Sequence, residues 1–343
     1  MSDHHQEYQN QLPICTVDPY DYLKIVLNPD GTITRNLIFP STPATPDPNS
    51  DLLSPVLTKD VTLNPTRNTW IRIFLPSKTL DNNNNNNNNS TVNNKLPLIV
   101  YHHGGGLILT SASSSLNHDF CSQMAAELSV VVVSVDYRLA PEHRLPAAYE
   151  DAVEALDWIK STDEIWLRGF ADVSKCFLMG TSAGGNITYH AGLRVSAAVD
   201  ELAPLRIRGL ILHHPFFGGV RRTDSEVRLV NDPGLPLSST DLMWELALPI
   251  GFDRDHKYCN PTADDGLPDT CDQIKRLGWR LLVTGCDGDP MIDRQVALAD
   301  MLKKNGVQVV PQFSQGNYHG VELLDITKAK SLFVLLKDFI NDN

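Results

Sequence analysis

A short apolar run, Cys176-Phe177-Leu178-Met179, ends in Gly180-Thr181-Ser182-Ala183-Gly184-Gly185-Asn186, and a helix-forming stretch from Ile187 to Val195 follows at once. A strand that becomes a helix within so few residues needs a very sharp corner. Glycines two positions before and after Ser182 permit it, because a Cβ at either place would crowd the turn. The corner pushes the serine hydroxyl out of the sheet and aims the Ala183 N–H toward the same space, as in a G-x-S-x-G nucleophile elbow. In isolation the same residues would fit a glycine-rich turn with a solvated serine, so their meaning depends on partners elsewhere in the chain.

Strand and helix signals alternate around this corner. Leu96 to Tyr101 reads as a continuous apolar strand, followed by a helix from about Asn117 to Leu128. The next strand, Val130 to Val135, begins with four valines and has no polar alternation, which marks a strand buried on both faces. A helix over about Ala147–Lys160, the elbow, a strand at Gly209–Leu212, a strand at Arg280–Thr284, a helix at Arg294–Lys304, a strand at Val307–Phe313 and a helix at Lys328–Ile340 complete the pattern. Such alternation predicts a single α/β domain over 1–343, with a mainly parallel sheet covered by helices on both faces.

The segments outside this alternation read differently. Near the start, a helical piece at Tyr20–Val26 precedes a turn at Asn28-Pro29-Asp30-Gly31 and a strand through Thr32–Thr34. Ser41 to Ser54 reads as an exposed loop, and Trp70 to Leu75 alternates as a strand ending at Pro76. Residues 81–94 contain eight consecutive asparagines and read as a surface loop with no catalytic role. Phe216 to about Asp264 is irregular, apart from an apolar helical piece at Leu242–Leu248 stopped by Pro249; it looks like an insertion that covers a site.

Composition narrows the function classes. A formal charge of −12 argues against nucleic acid or an anionic membrane as partner. Met1 to Gln11 has no apolar core of a secretory signal, and no apolar run reaches the roughly 18 residues of a membrane span. Six cysteines without a C-x-x-C pair fit reduced thiols, so a cytoplasmic location is expected.

Acyl-transfer chemistry at Ser182 needs a base, a group to orient it, and donors for an oxyanion. A neutral hydroxyl is a poor nucleophile, and an imidazole with a pKa near working pH is the best proton acceptor for it. His319, in Gly316-Asn317-Tyr318-His319-Gly320, follows the last strand and is the candidate base. The preceding strand ends in Cys286-Asp287-Gly288-Asp289-Pro290-Met291-Ile292-Asp293, which offers three acids. Asp289 is the choice, Asp287 the reserve, and Asp293 is assigned to the first turn of the next helix, where an acid favours the dipole. Cys286 reads as a packing residue.

His103-Gly104-Gly105-Gly106 follows the Leu96–Tyr101 strand, and its glycines let backbone N–H groups approach a substrate oxygen unobstructed. Gly105, Gly106 and Ala183 are the expected oxyanion donors. His102 and the pair His213-His214 are read as strand-end residues, and no histidine pair has metal-site spacing, so no metal is expected.

These motifs, together with Asp136-Tyr137-Arg138-Leu139-Ala140-Pro141-Glu142-His143, resemble the hormone-sensitive-lipase branch of the α/β-hydrolases, and within it the plant carboxylesterases. The likeness runs from about Tyr20 to Phe339, and the order Ser182, Asp289, His319 is the order of that fold. The resemblance implies an eight-stranded sheet, a small cap built from about 1–40 and 216–264, and a cofactor-free serine esterase acting on a small-molecule ester. A methyl or acetyl ester of a plant specialised metabolite such as an alkaloid is the expected substrate, with decarboxylation possible after hydrolysis. One departure is Thr181, where the branch usually has an acid. The family also includes gibberellin receptors without the histidine, and dehydratases that use the fold for elimination; both remain as rival expectations.

Overall fold

The computed structural model describes residues 14–47, 54–80, 95–263 and 267–342. The asparagine tract lies outside the described residues. Ten strands are named in chain order: β1 (Ile25–Leu27), β2 (Ile33–Arg35), β3 (Val56–Asn64), β4 (Thr69–Pro76), β5 (Leu96–His102), β6 (Val131–Asp136), β7 (Ala171–Thr181), β8 (Ile207–His213), β9 (Arg280–Gly288) and β10 (Gln308–Tyr318). β1 and β2 form a separate antiparallel pair, and the other eight make one sheet in the order β10-β9-β8-β7-β5-β6-β4-β3. From β6 to β10 every pairing is parallel, while β3 and β4 run antiparallel at one edge. This is the α/β-hydrolase fold.

The central strands are apolar throughout because both faces are covered. Leu98, Ile99, Val100, Val131, Val132, Val133, Leu178 and Met179 are all fully buried. Two core clusters result, one on each side of the sheet. The larger includes Val100, Val133 and Ile187, and the smaller packs Ile99, Phe120 and Phe333. Helices Ser115–Leu128 and Ile326–Asn341 contribute to the smaller layer; helices Ala147–Ser161 and Ala183–Ser196 contribute to the larger.

The strand order reverses direction between β5 and β7: β6 lies on one side of β5, and β7 to β10 extend on the other. At such a switch point the connections leave in opposite directions and open a crevice beyond the carboxyl ends of the strands. Gly104–Gly106 follow β5, Ser182 follows β7, His214 follows β8, Asp289 follows β9 and His319 follows β10. Every candidate site residue therefore reaches one edge of the sheet.

Several elements differ from the sequence reading. The first helix covers only Pro19–Leu23, because Lys24 takes a left-handed φ of 52° and sends Ile25–Leu27 into a strand. β3 is an additional edge strand paired to β4. Helices Ile165–Phe170, Asp224–Arg228 and Leu267–Leu277 are also additions, so the region after Phe216 is less irregular than expected. Asp224–Arg228 is started by a capping box, Thr223 and Glu226 bonding reciprocally. The expected helical piece at Leu242–Leu248 belongs to a longer helix, Leu237–Ala247.

That helix and the loop before it are tied to the N-terminal segment. Thr16 N donates to Asn231 Oδ1 at 2.9 Å, Tyr22 Oη to the Pro233 carbonyl at 2.8 Å, and Ser238 Oγ to the Val17 carbonyl at 2.7 Å. No described helix is long and apolar enough to cross a membrane.

Candidate active site

Ser182 sits between β7 and helix Ala183–Ser196 with φ 57° and ψ −119°, a conformation that a residue with a Cβ seldom adopts. Backbone bonds hold it there. Ser182 N donates to the His213 carbonyl at 2.9 Å, and its own carbonyl accepts from Gly185 N and Phe216 N, each at 2.9 Å. The flanking glycines are required by contact: a Cβ on Gly180 would strike the Gly184 carbonyl, and one on Gly184 would strike the His102 carbonyl. Asn186 is fully buried; it accepts from Tyr149 Oη at 2.7 Å and donates to the Tyr258 carbonyl at 2.8 Å, pinning the insertion to the elbow helix.

The structure brings the three distant side chains into one line. His319 Nε2 lies 2.9 Å from Ser182 Oγ, and His319 Nδ1 lies 2.7 Å from Asp289 Oδ2. Asp289 is fully buried and accepts two further bonds, from Met291 N at 2.8 Å and from Gln295 Nε2 at 2.8 Å. Asp287 is exposed and accepts from Gly316 N at 2.8 Å, away from the imidazole. Asp293 lies in the first turn of helix Ile292–Lys304 and accepts from Ser225 N at 2.7 Å.

The electrostatics follow from this packing. Burial opposes ionisation of Asp289, but the His319 and His214 imidazoles outweigh it and hold the carboxyl well below the usual range. Burial by itself would lower the His319 pKa; Asp289, with smaller contributions from Asp232 and Glu322, raises it above the ordinary histidine value. An Nδ1–H donated to Asp289 leaves Nε2 as the acceptor facing the serine hydroxyl. The arrangement can therefore accept the Ser182 proton and stabilise the imidazolium that results.

The glycine loop is shaped by the other motif. Gly105 (φ 108°) and Gly106 (φ 62°) take backbone conformations that favour glycine. The His103 ring stacks on Tyr137 at 4.2 Å between centroids, Tyr137 Oη donates to the His103 carbonyl at 2.8 Å, and Thr110 Oγ1 donates to the Gly104 carbonyl at 2.9 Å. Gly105 and Gly106 line the cavity beside Ser182, and Ala183 opens the helix, where its N–H has no carbonyl a turn earlier to bond. Arg138 and Glu142 of the same motif act at a distance from the serine. Arg138 grips buried Asp151 at 2.7 Å, and Glu142 pairs with Arg35 of β2 at 2.7 Å.

Ser182 and His319 open into a cavity of about 210 Å³ lined by Leu116, Phe216, Leu235, Met243, Leu323 and Leu324 among others. The lining is mostly apolar, and three of these residues come from the insertion. Thr181 is buried and accepts from Tyr101 Oη at 2.9 Å, so the residue before the serine forms a neutral pair under the site. Cys286 is buried, and burial with nearby Asp289 pushes its thiol up to about 12, consistent with a packing role.

Two residues near the site were read from sequence as strand-end packing or not singled out at all. His214 Nδ1 stands 3.5 Å from Asp289 Oδ2, and Glu322 Oε2 stands 3.3 Å from His213 Nε2 and 3.7 Å from His214 Nε2. The adjacent His213-His214 was the available signal, but nothing local connects it to an acid more than 100 residues away. His213, His214 and Glu322, or His214, Asp289 and His319, bring three possible ligand atoms within 4.8 Å of one another. In both sets these atoms also face one another as imidazole–carboxylate pairs.

Comparison with known proteins agrees with the geometry. Residues 99–323 match the family model described as an alpha/beta hydrolase fold. The chain is 53% identical over 329 residues to carboxylesterase 20 of Arabidopsis thaliana, covering 96% of this chain and 98% of that one. It is 47% identical over 332 residues to a 3-O-acetylpapaveroxine carboxylesterase of Papaver somniferum, covering 94% of this chain and 99% of that one. Among solved structures, an esterase of Pyrobaculum calidifontis superposes with a TM-score of 0.65 at 26% identity, covering 83% of this chain and 84% of that one.

Proposed function

The chain belongs to the plant carboxylesterases of the α/β-hydrolase family, and from that premise we propose that it cleaves a short-chain, apolar ester, an acetyl ester foremost, through an acyl-enzyme on Ser182. Ser182 Oγ attacks the ester carbonyl as His319 Nε2 takes its proton. Asp289 keeps the imidazole in the required tautomer and balances its charge. Gly105, Gly106 and Ala183 N–H groups receive the developing oxyanion, each such donor being worth about 3–4 kcal/mol in the transition state. His319 then returns the proton to the leaving alcohol, and water activated by the same imidazole releases the acid.

The run from Ser182 Oγ through His319 to Asp289, at 2.9 and 2.7 Å and opening into an apolar cavity, supports the proposal most directly. The cavity's size supports the short acyl group. At about 210 Å³ it falls below the roughly 300–1,000 Å³ of sites that enclose a whole drug-sized ligand. It therefore suits the acyl portion, with a larger alcohol portion at the mouth. The poppy relative is named for an acetylated alkaloid, which favours an acetyl ester of an alkaloid-like alcohol here.

The test is intact mass after an organophosphonate ester probe, with Ser182→Ala alongside, followed by a panel of acetyl, butyryl and longer esters. One adduct on the wild type that vanishes in the variant, and a kcat loss on the order of 10⁶, are expected. Only partial loss in Ser182→Ala would point to elimination by His319. Ligand binding with no adduct would point to a receptor.

A further inference from the structure

Behind the proposed acid and base lies a second imidazole–carboxylate pair, its histidine buried and its glutamate partly so, that the serine mechanism does not use. His214 is the residue after β8, and Glu322 is in a short 3-10 turn, Val321–Leu323, three residues after His319. His214 touches both loops that carry the proposed triad. Its Nδ1 accepts the Gly320 N–H at 3.3 Å and stands 3.5 Å from Asp289 Oδ2. Glu322 Oε2 lies 3.7 Å from its Nε2. His213 completes the group: its Nε2 is 3.3 Å from the same carboxylate oxygen, and its Nδ1 bonds Thr284 Oγ1 at 2.7 Å. His213 and His214 are essentially inaccessible to solvent.

We propose, building on the assignment of His319 as base, that His214 and Glu322 are positioning residues: His214 locks the His319 loop to the Asp289 loop, and Glu322 fixes the His214 tautomer and sets a second negative charge behind the base. The proton logic follows from the distances. A carboxylate beside Nε2 favours the tautomer with its proton there, which leaves the Nδ1 lone pair for the Gly320 N–H. Without that charge the His214 proton can move to Nδ1, where it faces Asp289 Oδ2 and competes with His319 for the same oxygen.

The charges around the base set the expected sign. His319 is faced by Asp289 from the loop after β9, by His214 from the end of β8, by Glu322 from its own loop, and by Asp232 from the insertion. Lys328 of the last helix lines a cavity of about 370 Å³ that also reaches His214 and Glu322, and His213 and Cys286 lie beyond them. Burial would raise the Glu322 pKa, but His213 and His214 bring it down to about 2, so Glu322 is ionised throughout the working range. Removing its charge makes His319 a weaker base, and so does a His214 proton competing for Asp289. Both effects move the acidic limb in the same direction.

The experiment compares kcat/KM against pH for the wild type, Glu322→Gln and His214→Asn on an uncharged ester. The rate of phosphonate labelling at Ser182 is measured on the same samples, with thermal midpoints recorded. For Glu322→Gln the acidic limb is expected to move down by roughly half a unit to one unit, with a several-fold lower plateau kcat and an unchanged KM. His214→Asn is expected to lower kcat about tenfold at nearly constant KM, as a misaligned base does. Lower thermal midpoints with wild-type pH profiles and kcat in both variants would overturn the proposal and leave a merely structural pair. Absence of label on the wild type would remove the His319 assignment, and this proposal with it; label with unmoved profiles overturns this proposal alone.

Discussion

The Met243 thioether occupies the space that a side chain at Gly106 would need, so helix Leu237–Ala247 closes directly on the glycine loop. The insertion and the proposed oxyanion site therefore meet at this pair. Met243→Ala is expected to lengthen the acyl cavity and shift the preferred substrate from acetyl toward butyryl or hexanoyl esters. Each added methylene is worth about 1–3 kcal/mol in such a pocket, so the ratio of kcat/KM for butyryl over acetyl should rise at least tenfold. Nitrophenyl esters of increasing acyl length measure this directly.

Gly106→Ala is the converse. Its φ of 62° disfavours a side chain, and the new methyl would meet Met243. The loop must shift, and an oxyanion donor moves with it. A kcat loss of about 10²–10³ is expected, together with a lower thermal midpoint from the strained backbone and the clash. The double variant with Met243→Ala should recover only the part due to the clash, because the backbone strain remains.

The activity should fall on the acidic side with an apparent pKa above the ordinary histidine value of about 6.5. His319 must be neutral to take the serine proton, and its pKa is raised by Asp289. Protonation therefore begins at a higher pH than for a free imidazole, and activity is lost as pH falls through that raised value. Asp289, held well below the usual range, stays ionised throughout. A kcat/KM profile between pH 5 and 9 with an uncharged ester reads the free enzyme's value; a midpoint below 6 would contradict the assignment.

Arg138 and Asp151 test stability apart from chemistry. The Asp151 carboxylate is fully buried and accepts both the Arg138 backbone N–H and its guanidinium. Asp151→Ala removes the buried carboxylate from a half-buried guanidinium that keeps Glu150 at 3.5 Å, and should cost about 1–3 kcal/mol. Urea denaturation should show a lower midpoint, while protein that remains folded keeps its Ser182 labelling rate.

The elbow, the glycine loop and the order of strands and helices were legible because each depends on local chemistry. A left-handed corner demands glycines at fixed offsets, and a strand covered on both faces demands an unbroken apolar run such as Val130–Val133. Where the local signal was mixed, the reading slipped. β3 carries the polar run Thr58-Lys59-Asp60 among its apolar residues because it lies at an edge, and helix Leu267–Leu277 is largely polar, with Cys271 and Ile274 fully buried. Tyr20–Val26 reads as one helix until Lys24 reverses the backbone.

By itself, then, the sequence determined the α/β class, pointed to the serine, the histidine and the glycine loop, and chose Asp289 among three acids. Tertiary structure alone decided the 2.7 Å contact of Asp289 with His319 while Asp287 turns to Gly316, that Met243 packs on Gly106, and that His214 and Glu322 stand behind the proposed base. The physical reason is the range of the interactions. Backbone geometry and burial restrict which residue types a position accepts, and that leaves a mark along the chain. A 2.7 Å contact between loops 30 residues apart is set by how five strands bring their carboxyl ends to one edge, and no single stretch of sequence carries that distance.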